Sequence, residues 1–268
     1  MNYRSLLFVP GNRPDRFEKA CQSDADFVCI DFEDAVAPDQ KRQARVTTLE
    51  WLAQTQHKHV GVRINALDND FGQEDVEVLA KTTLNLPYIM VPKAASGQQM
   101  GDVANILPAA LGALFPIIES AKGMRKVDDI YEHPRVKYSI FGAIDYSADI
   151  GSDMSWDAML YARSHLVSSA HANDVILFDA PYSDVRNLEG CKAETERAKT
   201  LGVFARSAIH PAQIEPIHSA LKASEAEVLY AKRVIEAIES SGGNVSLLDG
   251  KLLEEPIVKK ARRIIASL

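Results

Sequence analysis

Short apolar runs rich in β-branched and aromatic residues recur along the chain, and each is followed by a stretch with helical spacing. Eight runs predict strands at Ser5–Val9, Phe27–Asp31, Val60–Ile64, Tyr88–Val91, Phe115–Ile118, Tyr138–Phe141, Val175–Phe178 and Phe204–Ala208. Most of these runs are continuous rather than alternating in polarity. That pattern is typical of strands that are buried on both faces of a parallel sheet.

Helical patterns occupy the stretches between the strands. The clearest of them lie at Pro14–Ser23, Gln40–Gln54, Ala158–Ala172 and Leu188–Leu201. Pro14 suits the first turn of a helix, and Gly202 suits the residue that follows the last turn. Eight strand–helix units in one unbroken series predict an α/β fold of the (β/α)8 TIM-barrel type. A doubly wound open sheet is the alternative, but no GxGxxG motif follows the first strand.

The pattern changes after the eighth strand. The segments predicted there are two helices, a linker, a hairpin and a last helix, at Ile214–Leu221, Ser224–Ser240, Ser241–Asn244, Val245–Leu253 and from about Pro256. We therefore predict a catalytic barrel domain over residues 1–222 and a C-terminal appendage over residues 223–268. The appendage is expected to pack on the barrel or on a neighbouring subunit.

Composition narrows the class of protein. The 268 residues are 46% hydrophobic, which suits one barrel of ~250 residues. The 30 basic and 37 acidic side chains leave a net charge of −7, which argues against a nucleic acid as the main partner. No apolar stretch approaches the ~20 residues of a membrane span, and no signal-peptide pattern opens the chain. The three cysteines form no CxxC pair, so we expect a cytoplasmic protein.

Polar side chains follow nearly every predicted strand. In a parallel barrel the loops after the strands form the active-site face. In chain order these loops carry Arg13, Glu33, Asp34, Arg63, Asn65, Lys93, Glu119, Asp145, Asp179 and His210. Some of them are expected as helix caps alone, but a nearly complete ring predicts a site at this end of the barrel.

Glu119 and Asp145 form the most informative pair. Glu119 directly follows the fifth predicted strand, and Asp145 follows the sixth after three residues, so the two lie one strand-to-strand step apart. Carboxylates that close repel unless a cation or a proton lies between them. Magnesium usually takes one or two protein carboxylates. The pair is either a magnesium site or two unrelated capping acids, and spacing alone leaves both open.

Arg63 ends the third strand and is the candidate anion-binding side chain. An arginine there grips a carboxylate or a developing oxyanion, or it neutralises the nearby acids, and the two roles are compatible. Glu33 and Asp34 follow the second strand. A simpler interpretation pairs these two acids with Lys41 or Arg45 of the next helix.

Arg13 and Arg16 flank Pro14 and Asp15 after the first strand. They suit the phosphates of a large anionic cofactor, or they are simply solvated.

Taken together, these segments resemble the citrate lyase β-subunit-like family, with its malyl-CoA and citramalyl-CoA lyases, in the phosphoenolpyruvate/pyruvate barrel superfamily. The segments that carry the resemblance are RSLLFVPGNR from Arg4, DFEDAV from Asp31, VRIN from Val62, VPK from Val91, PIIE from Pro116, FGAID from Phe141 and AIHPAQ from Ala208. Each is weak alone, but their order and spacing cover nearly the whole chain.

The resemblance implies a set of roles for these residues. It implies magnesium bound by Glu119 and Asp145, and a thioester arm, usually coenzyme A, that runs over the first loop and the His210-Pro211 turn. The candidate substrate and coenzyme A contacts are Arg13, Arg16, Arg63, Lys93, His210 and Pro211. The candidate catalytic residues are Arg63, Glu33 and Glu254.

The resemblance also implies a homotrimer in which a C-terminal segment supplies a carboxylate to the neighbouring subunit's site. The matching stretch here is Leu248–Pro256. The family pattern implies an aspartate two residues before the proline, whereas this chain has Glu254, which is one methylene longer. Asp249, in the same segment, could take this role instead.

The sequence therefore predicts a magnesium-dependent carbon–carbon lyase. Its expected substrate is a 3-hydroxyacyl-CoA of the malyl or citramalyl type, and its expected products are acetyl-CoA and a 2-oxo acid. One alternative is a citrate lyase β subunit that acts on citryl-acyl carrier protein and releases oxaloacetate. A second alternative is a non-catalytic barrel that binds coenzyme A thioesters.

Overall fold

The computed structural model of the chain describes residues 3–240 and 247–266. Its centre is a closed barrel of eight parallel strands in sequence order, in which the eighth strand pairs with the first. The strands are β1 Ser5–Pro10, β2 Phe27–Asp31, β3 Val60–Arg63, β4 Tyr88–Val91, β5 Ala113–Ile118, β6 Tyr138–Phe141, β7 Ile176–Asp179 and β8 Ala205–Ala208. The predicted fold is confirmed, and the predicted strand ends differ from these by two residues at most.

Helices connect the strands and surround the barrel. They are α1 Phe17–Cys21, α2 Lys41–Leu52, α3 Asp70–Ala80, α4 Gly97–Ile106, α5 Ala121–Met124, α6 Val127–Tyr131, α7 Ala143–Ile150, α8 Trp156–Ala172, α9 Leu188–Leu201 and α10 Ile214–Leu221. Short 3-10 turns lie at Pro14–Arg16, Pro38–Gln40, Ala109–Leu111 and Pro211–Gln213.

Local chemistry explains where the helices begin and end. The bounds predicted for α9 are confirmed, and Gly202 follows it with φ +102°, a left-handed conformation that glycine adopts readily. The helix predicted at Pro14–Ser23 is instead a 3-10 turn followed by α1. The helix ends at Cys21, and the Ser23 hydroxyl then donates to the carbonyl of Ala20.

Two apolar layers explain the continuous strand runs. All five residues of β2 and all four of β4 are buried, because alternate side chains face the barrel interior or the surrounding helices. Phe27, Tyr88, Phe115 and Phe178 fill the interior, with neighbouring ring centroids 5.0 to 5.3 Å apart. Cys29 lies in the same layer, where burial raises the pKa of its thiol.

Residues from Lys222 onward belong to a second compact unit, distinct from the barrel unit Tyr3–Leu221. It contains α11 Glu225–Ser240, the antiparallel strands β9 Leu247–Leu248 and β10 Lys251–Leu252, and α12 Glu255–Ala266. Its core consists of Ala231, Val234, Leu253, Val258 and Ala261. The predicted linker Ser241–Asn244 and the first two residues of the predicted hairpin, Val245 and Ser246, lie outside the described residues.

In the part of the chain that the structure describes, no helix combines the length and the apolar character that crossing a bilayer requires.

Candidate active site

An arginine–aspartate pair stands at the carboxyl ends of β2 and β3. Asp31 and Arg63 are the last residues of these strands and are partners in the sheet register. Arg63 donates from Nε and Nη2 to the two oxygens of Asp31, both at 2.6 Å. The guanidinium also lies over the Phe8 ring, 5.1 Å from its centroid. Adjacent strand ends therefore hold Arg63 in one orientation.

Asp31 was not among the site residues predicted from the sequence. It lies in the segment that carried the family resemblance, but an acid that ends an apolar strand was assigned no role there. The available signal was its position beside Arg63 across two neighbouring strands, because residues at equivalent strand ends meet in a parallel barrel.

Glu33 lies in the turn after β2, on the other side of the same guanidinium. Its Oε2 is 3.1 Å from Nη1 of Arg63, yet this buried oxygen has no hydrogen-bond partner. Burial raises the pKa of Glu33 to about 7, although Arg63 acts in the opposite direction. Asp34 is mostly exposed and lies 3.4 Å from the same nitrogen.

Among the described residues, neither Lys41 nor Arg45 forms an ion pair with the carboxylate of Glu33 or Asp34, although both acids act electrostatically on Lys41. Lys41 donates from Nζ to the backbone oxygens of Phe32 and Glu33, at 3.0 and 2.6 Å. Arg45 instead pairs with the acids of α3, Glu74 and Asp75. The first turn of α2 thus holds the backbone of the β2 loop, and the Glu33 carboxylate is left facing the site.

Glu119 follows β5 and is 4% exposed. Its Oε1 accepts a 2.6 Å hydrogen bond from the backbone N–H of Lys93, a residue held at φ +50°. Burial and the charge of Glu33 raise the pKa of Glu119 to about 8, and Asp145 adds to this rise. A carboxyl group with this pKa is mostly protonated at neutral pH, and a cation beside it would favour the charged form.

Asp145 lies on the connection after β6, the strand that pairs with β5. It is exposed and sits in the first turn of α7 rather than at the strand end itself, a position where a helix favours negative charge. Its electrostatic effect on Glu119 places the two acids within interaction range. Gly142, which precedes α7, leaves room for Glu119, since a Cβ there would stand 2.7 Å from Oε2.

The cluster carries more negative charge than positive. Its acids are Asp31, Glu33, Asp34, Glu119 and Asp145, and its cations are Lys41, Arg63 and Lys93. When all of these groups are ionised, two negative charges remain, and a divalent cation would compensate them. Among residues 3–240 and 247–266, no set of three or more acidic, histidine or cysteine side chains is placed to hold a metal. Two carboxylates are enough for magnesium, which leaves its other positions to water and substrate.

The remaining predicted residues lie on other loops. Arg13 is engaged by Asp15, at 2.7 and 2.9 Å, and Arg16 is exposed. His210 accepts at Nδ1 from the N–H of Ala212 and caps the turn that begins at Pro211. The Lys93 side chain is exposed.

The two candidate acids of the C-terminal unit, Glu254 and Asp249, differ in their surroundings. Glu254 precedes α12 with an exposed side chain, and its carbonyl accepts from the N–H of Ile257. Asp249 is instead paired with Arg233 of α11 at 2.6 Å. The Asp249 carboxylate is therefore held by an arginine, whereas the Glu254 side chain is exposed to solvent.

Comparison with known proteins gives concordant results. A family model described as HpcH/HpaI aldolase/citrate lyase matches residues 4–211. A (3S)-malyl-CoA thioesterase of Cereibacter sphaeroides is 33% identical over 272 residues, covering 98% of this chain and 94% of the relative. An L-malyl-CoA/beta-methylmalyl-CoA lyase of the same organism is 31% identical over 300 residues, covering 98% and 93%.

A solved structure extends the likeness to a ligand-bound protein. It is protein CitE from Mycobacterium tuberculosis in complex with magnesium, acetoacetate and coenzyme A. It matches with a TM-score of 0.86 and 28% identity, covering 98% of this chain and 97% of that one.

Proposed function

Because the chain belongs to the HpcH/HpaI aldolase/citrate lyase family, we propose that it is a magnesium-dependent carbon–carbon lyase acting on a 3-hydroxyacyl-CoA. The expected products are acetyl-CoA and a 2-oxo acid. The observation that carries the proposal is the burial of the Glu119 carboxyl group near Glu33 and Arg63. Burial and the charge of Glu33 raise its pKa to about 8, while the charge of Arg63 acts in the opposite direction. The relatives named for malyl-CoA and the CitE complex with coenzyme A support this substrate class.

Glu119 and Asp145 are the residues we assign to the metal. The uncompensated charge of the cluster fits a divalent cation nearby, and so does the buried Oε2 of Glu33, which has an ion pair with Arg63 but no hydrogen bond. When bound, magnesium supplies a Lewis acid that orients and polarises the oxygens of the substrate's carboxylate and hydroxyl groups. The N–H of Lys93 fixes one oxygen of Glu119, which leaves the other for this task.

Arg63 is assigned to the oxo-acid half of the substrate. Two of its nitrogens are held by Asp31, and Nη1 points toward Glu33 and the site. A donor fixed in a largely buried position stabilises charge that develops on a carbonyl oxygen, because no solvent must reorganise. In the cleavage the substrate hydroxyl loses its proton, the carbon–carbon bond breaks, and the electron pair passes to the thioester enolate.

Glu33 and Glu254 are assigned to proton transfer. With its pKa raised to about 7, Glu33 can accept the proton of the hydroxyl group near neutral pH. Glu254 of a neighbouring subunit would return a proton to the enolate carbon, which requires a homotrimer with shared sites. The coenzyme A arm is assigned to Arg13, Arg16, Lys93, His210 and Pro211.

A product assay tests this function. The protein is incubated with malyl-, citramalyl- and citryl-CoA, with magnesium or with a chelator, and the products are separated by chromatography. We expect acetyl-CoA and one 2-oxo acid in equal amounts, only when magnesium is present. Glu119→Ala and Asp145→Ala should each abolish the reaction. Cleavage that persists in chelator or in these variants would refute the metal assignment.

Hydrolysis of the thioester is a second candidate function. The relative named a (3S)-malyl-CoA thioesterase covers as much of this chain as the relative named a lyase does. The same assay separates the two reactions. Hydrolysis releases free coenzyme A and malate, whereas carbon–carbon cleavage releases acetyl-CoA and glyoxylate. Citryl-acyl carrier protein, offered beside citryl-CoA, tests the citrate lyase alternative. Binding of the thioesters without turnover of any of them would indicate the non-catalytic alternative.

A further inference from the structure

We propose that Asp31 is a positioning residue for the reaction, which acts by fixing the guanidinium plane of Arg63 and the loop that carries Glu33. This inference deepens the proposed function and rests on it. Asp31 is 1% exposed and ends β2, so the barrel itself holds its carboxylate in place.

Asp31 accepts four hydrogen bonds, two at each oxygen. Oδ1 accepts from Arg63 Nε at 2.6 Å and from the N–H of Glu33 at 2.8 Å. Oδ2 accepts from Arg63 Nη2 at 2.6 Å and from the N–H of Ala35 at 3.0 Å. An ionised carboxylate has about four acceptor positions. All of them are occupied, so Asp31 has no position left for a metal or a substrate.

Because Asp31 holds two nitrogens of the Arg63 guanidinium group, it also determines the direction of the third. The guanidinium group is planar, and a two-point contact along one edge fixes the orientation of the whole plane. The edge held by Asp31 consists of Nε and Nη2, so Nη1 points away from it, toward Glu33 at 3.1 Å. A lysine at position 63 would keep the charge but lose this orientation.

The same carboxylate sets the position of Glu33. Its bonds to the N–H groups of Glu33 and Ala35 close the turn after β2. The anion-binding group and the proton acceptor therefore share one anchor. A substitution of Asp31 would displace both groups at once. Misplacement of a catalytic group by about an ångström lowers the rate by about 100-fold.

The test is the variant Asp31→Asn. In asparagine an NH2 group replaces one of the two carboxylate oxygens. This group cannot accept the two hydrogen bonds that the oxygen accepts in Asp31, so the guanidinium plane of Arg63 is released. We expect kcat to fall by about 100-fold or more while Mn2+ binding changes by less than about 3-fold. In a double-variant cycle, Asp31→Asn added to Arg63→Ala should cause little further loss, because the anchor acts through the arginine.

Asp26→Asn is the control. The Asp26 carboxylate also accepts several hydrogen bonds, from the N–H groups of Arg4 and Ser5 and from the Ser5 hydroxyl, but it precedes β2 and so lies at the opposite end of the barrel. This variant should lower Tm without lowering kcat at a temperature where it is folded. If Asp26→Asn lowers kcat as much as Asp31→Asn, or if the losses at Asp31 and Arg63 multiply, the positioning role is refuted.

Two further measurements keep this inference separate from the proposed function. If the wild-type protein cleaves no thioester, the function fails, and pyruvate binding in the presence of Mn2+ then reports on Arg63. Asp31→Asn should weaken that binding as much as Arg63→Ala does, and unchanged binding would overturn the role. If Asp31→Asn does not fold, NMR of the wild-type chain decides, since the Arg63 Nε–H should exchange far more slowly than that of exposed Arg16.

Discussion

At the scale of single residues, the site is built from groups whose protonation depends on what lies beside them. Glu119 is buried beside the charge of Glu33, and its pKa is raised to about 8. Glu33 is buried beside Asp31 and Asp34, and its pKa is raised to about 7. Without a metal, Glu119 would mostly keep its proton at neutral pH. A divalent cation would replace that proton, which is why the cluster fits a magnesium site.

Gly142→Ala tests how closely Glu119 must approach the β6 loop. A Cβ at position 142 would lie 2.4 Å from Cβ and 2.7 Å from Oε2 of Glu119, so the carboxylate must move. We expect Mn2+ affinity, measured by calorimetry, to fall by about 10-fold or more. Gly101→Ala is the control, because a Cβ there meets no atom within 4 Å and α4 should be slightly stabilised. Equal Mn2+ affinity in both variants would contradict the assignment.

The stability of the metal-free protein should fall as the pH rises from about 5.5 to about 8 and then level off. An ordinary glutamate, with a pKa of 4.5, is already ionised in the unfolded chain throughout this range. The folded chain keeps the Glu119 proton until about pH 8, so it binds more protons than the unfolded chain, and rising pH favours unfolding. We expect Tm to fall by about 4 °C or more, and magnesium to restore it.

Glu119→Gln is the control for this pH dependence. The glutamine does not titrate, so the variant should show a flatter decline in Tm and little stabilisation by magnesium. An equal decline in the variant would show that other groups cause the effect.

Residue types and spacing predicted some of these roles but not the contacts behind them. Glu119, Arg63 and Glu33 were identified because each lies within two residues of the end of a predicted strand. Asp31 was missed because its role depends on a contact across two strands, which appears only when the register is known. Lys93 was predicted for its side chain, whereas its backbone N–H makes the contact with Glu119.

At the scale of elements, hydrophobic pattern predicted the strands well and the turns less well. Strands such as β2 and β4 are buried on both faces, so their whole length is apolar and their ends are visible in the sequence. The 3-10 turn Pro14–Arg16 was not distinguished from a helix, because proline suits the start of either. Polar contacts between distant segments leave no periodic signal at all.

Arg135 makes contacts of that kind, at the end of α4 and in the connection that follows it. Its guanidinium donates five hydrogen bonds to the carbonyl oxygens of Ala104, Leu107, Pro108 and Gly112. Ala104 lies in the last turn of α4, whose carbonyls have no partner within the helix, and the other three carbonyls lie in the connection to β5. Arg135→Met would remove the donor from all four, and we expect a loss of about 3 kcal/mol in the free energy of unfolding, measured with urea.

Arg125→Met is the matched control, because Arg125 is exposed at the end of α5. This variant should change the free energy of unfolding by less than about 0.5 kcal/mol. If both variants lose the same amount, the carbonyl contacts of Arg135 do not explain its effect.

At the scale of the whole molecule, the chain forms a large barrel unit and a small C-terminal unit. The small unit has a core of five buried residues, while Leu229 and Leu247 are 62% and 65% exposed. A unit of this size seldom buries enough apolar surface by itself. The sequence predicted its helices from their amphipathic spacing, but its role at a neighbour's site came only from the family resemblance and stays a prediction.

Subunit mixing tests that role. Glu119→Ala and Glu254→Gln should each be inactive, since one lacks the metal ligand and the other lacks the proton donor. If Glu254 acts on a neighbouring subunit, mixed trimers contain some sites with both residues intact. Random assortment predicts about a quarter of wild-type activity after the two variants are unfolded and refolded together. No recovery from the mixture, or a monomer by light scattering, would contradict shared sites.

The central claim is that Glu119 and Asp145 hold one divalent cation at the carboxyl ends of neighbouring strands. Its most direct test is an anomalous difference map from a crystal of the wild-type protein grown with Mn2+. The account predicts one strong peak in contact with a carboxylate oxygen of each residue, and no such peak in a crystal of Glu119→Ala. A peak bound elsewhere, or Glu119 and Asp145 turned away from each other with no metal between them, would contradict it.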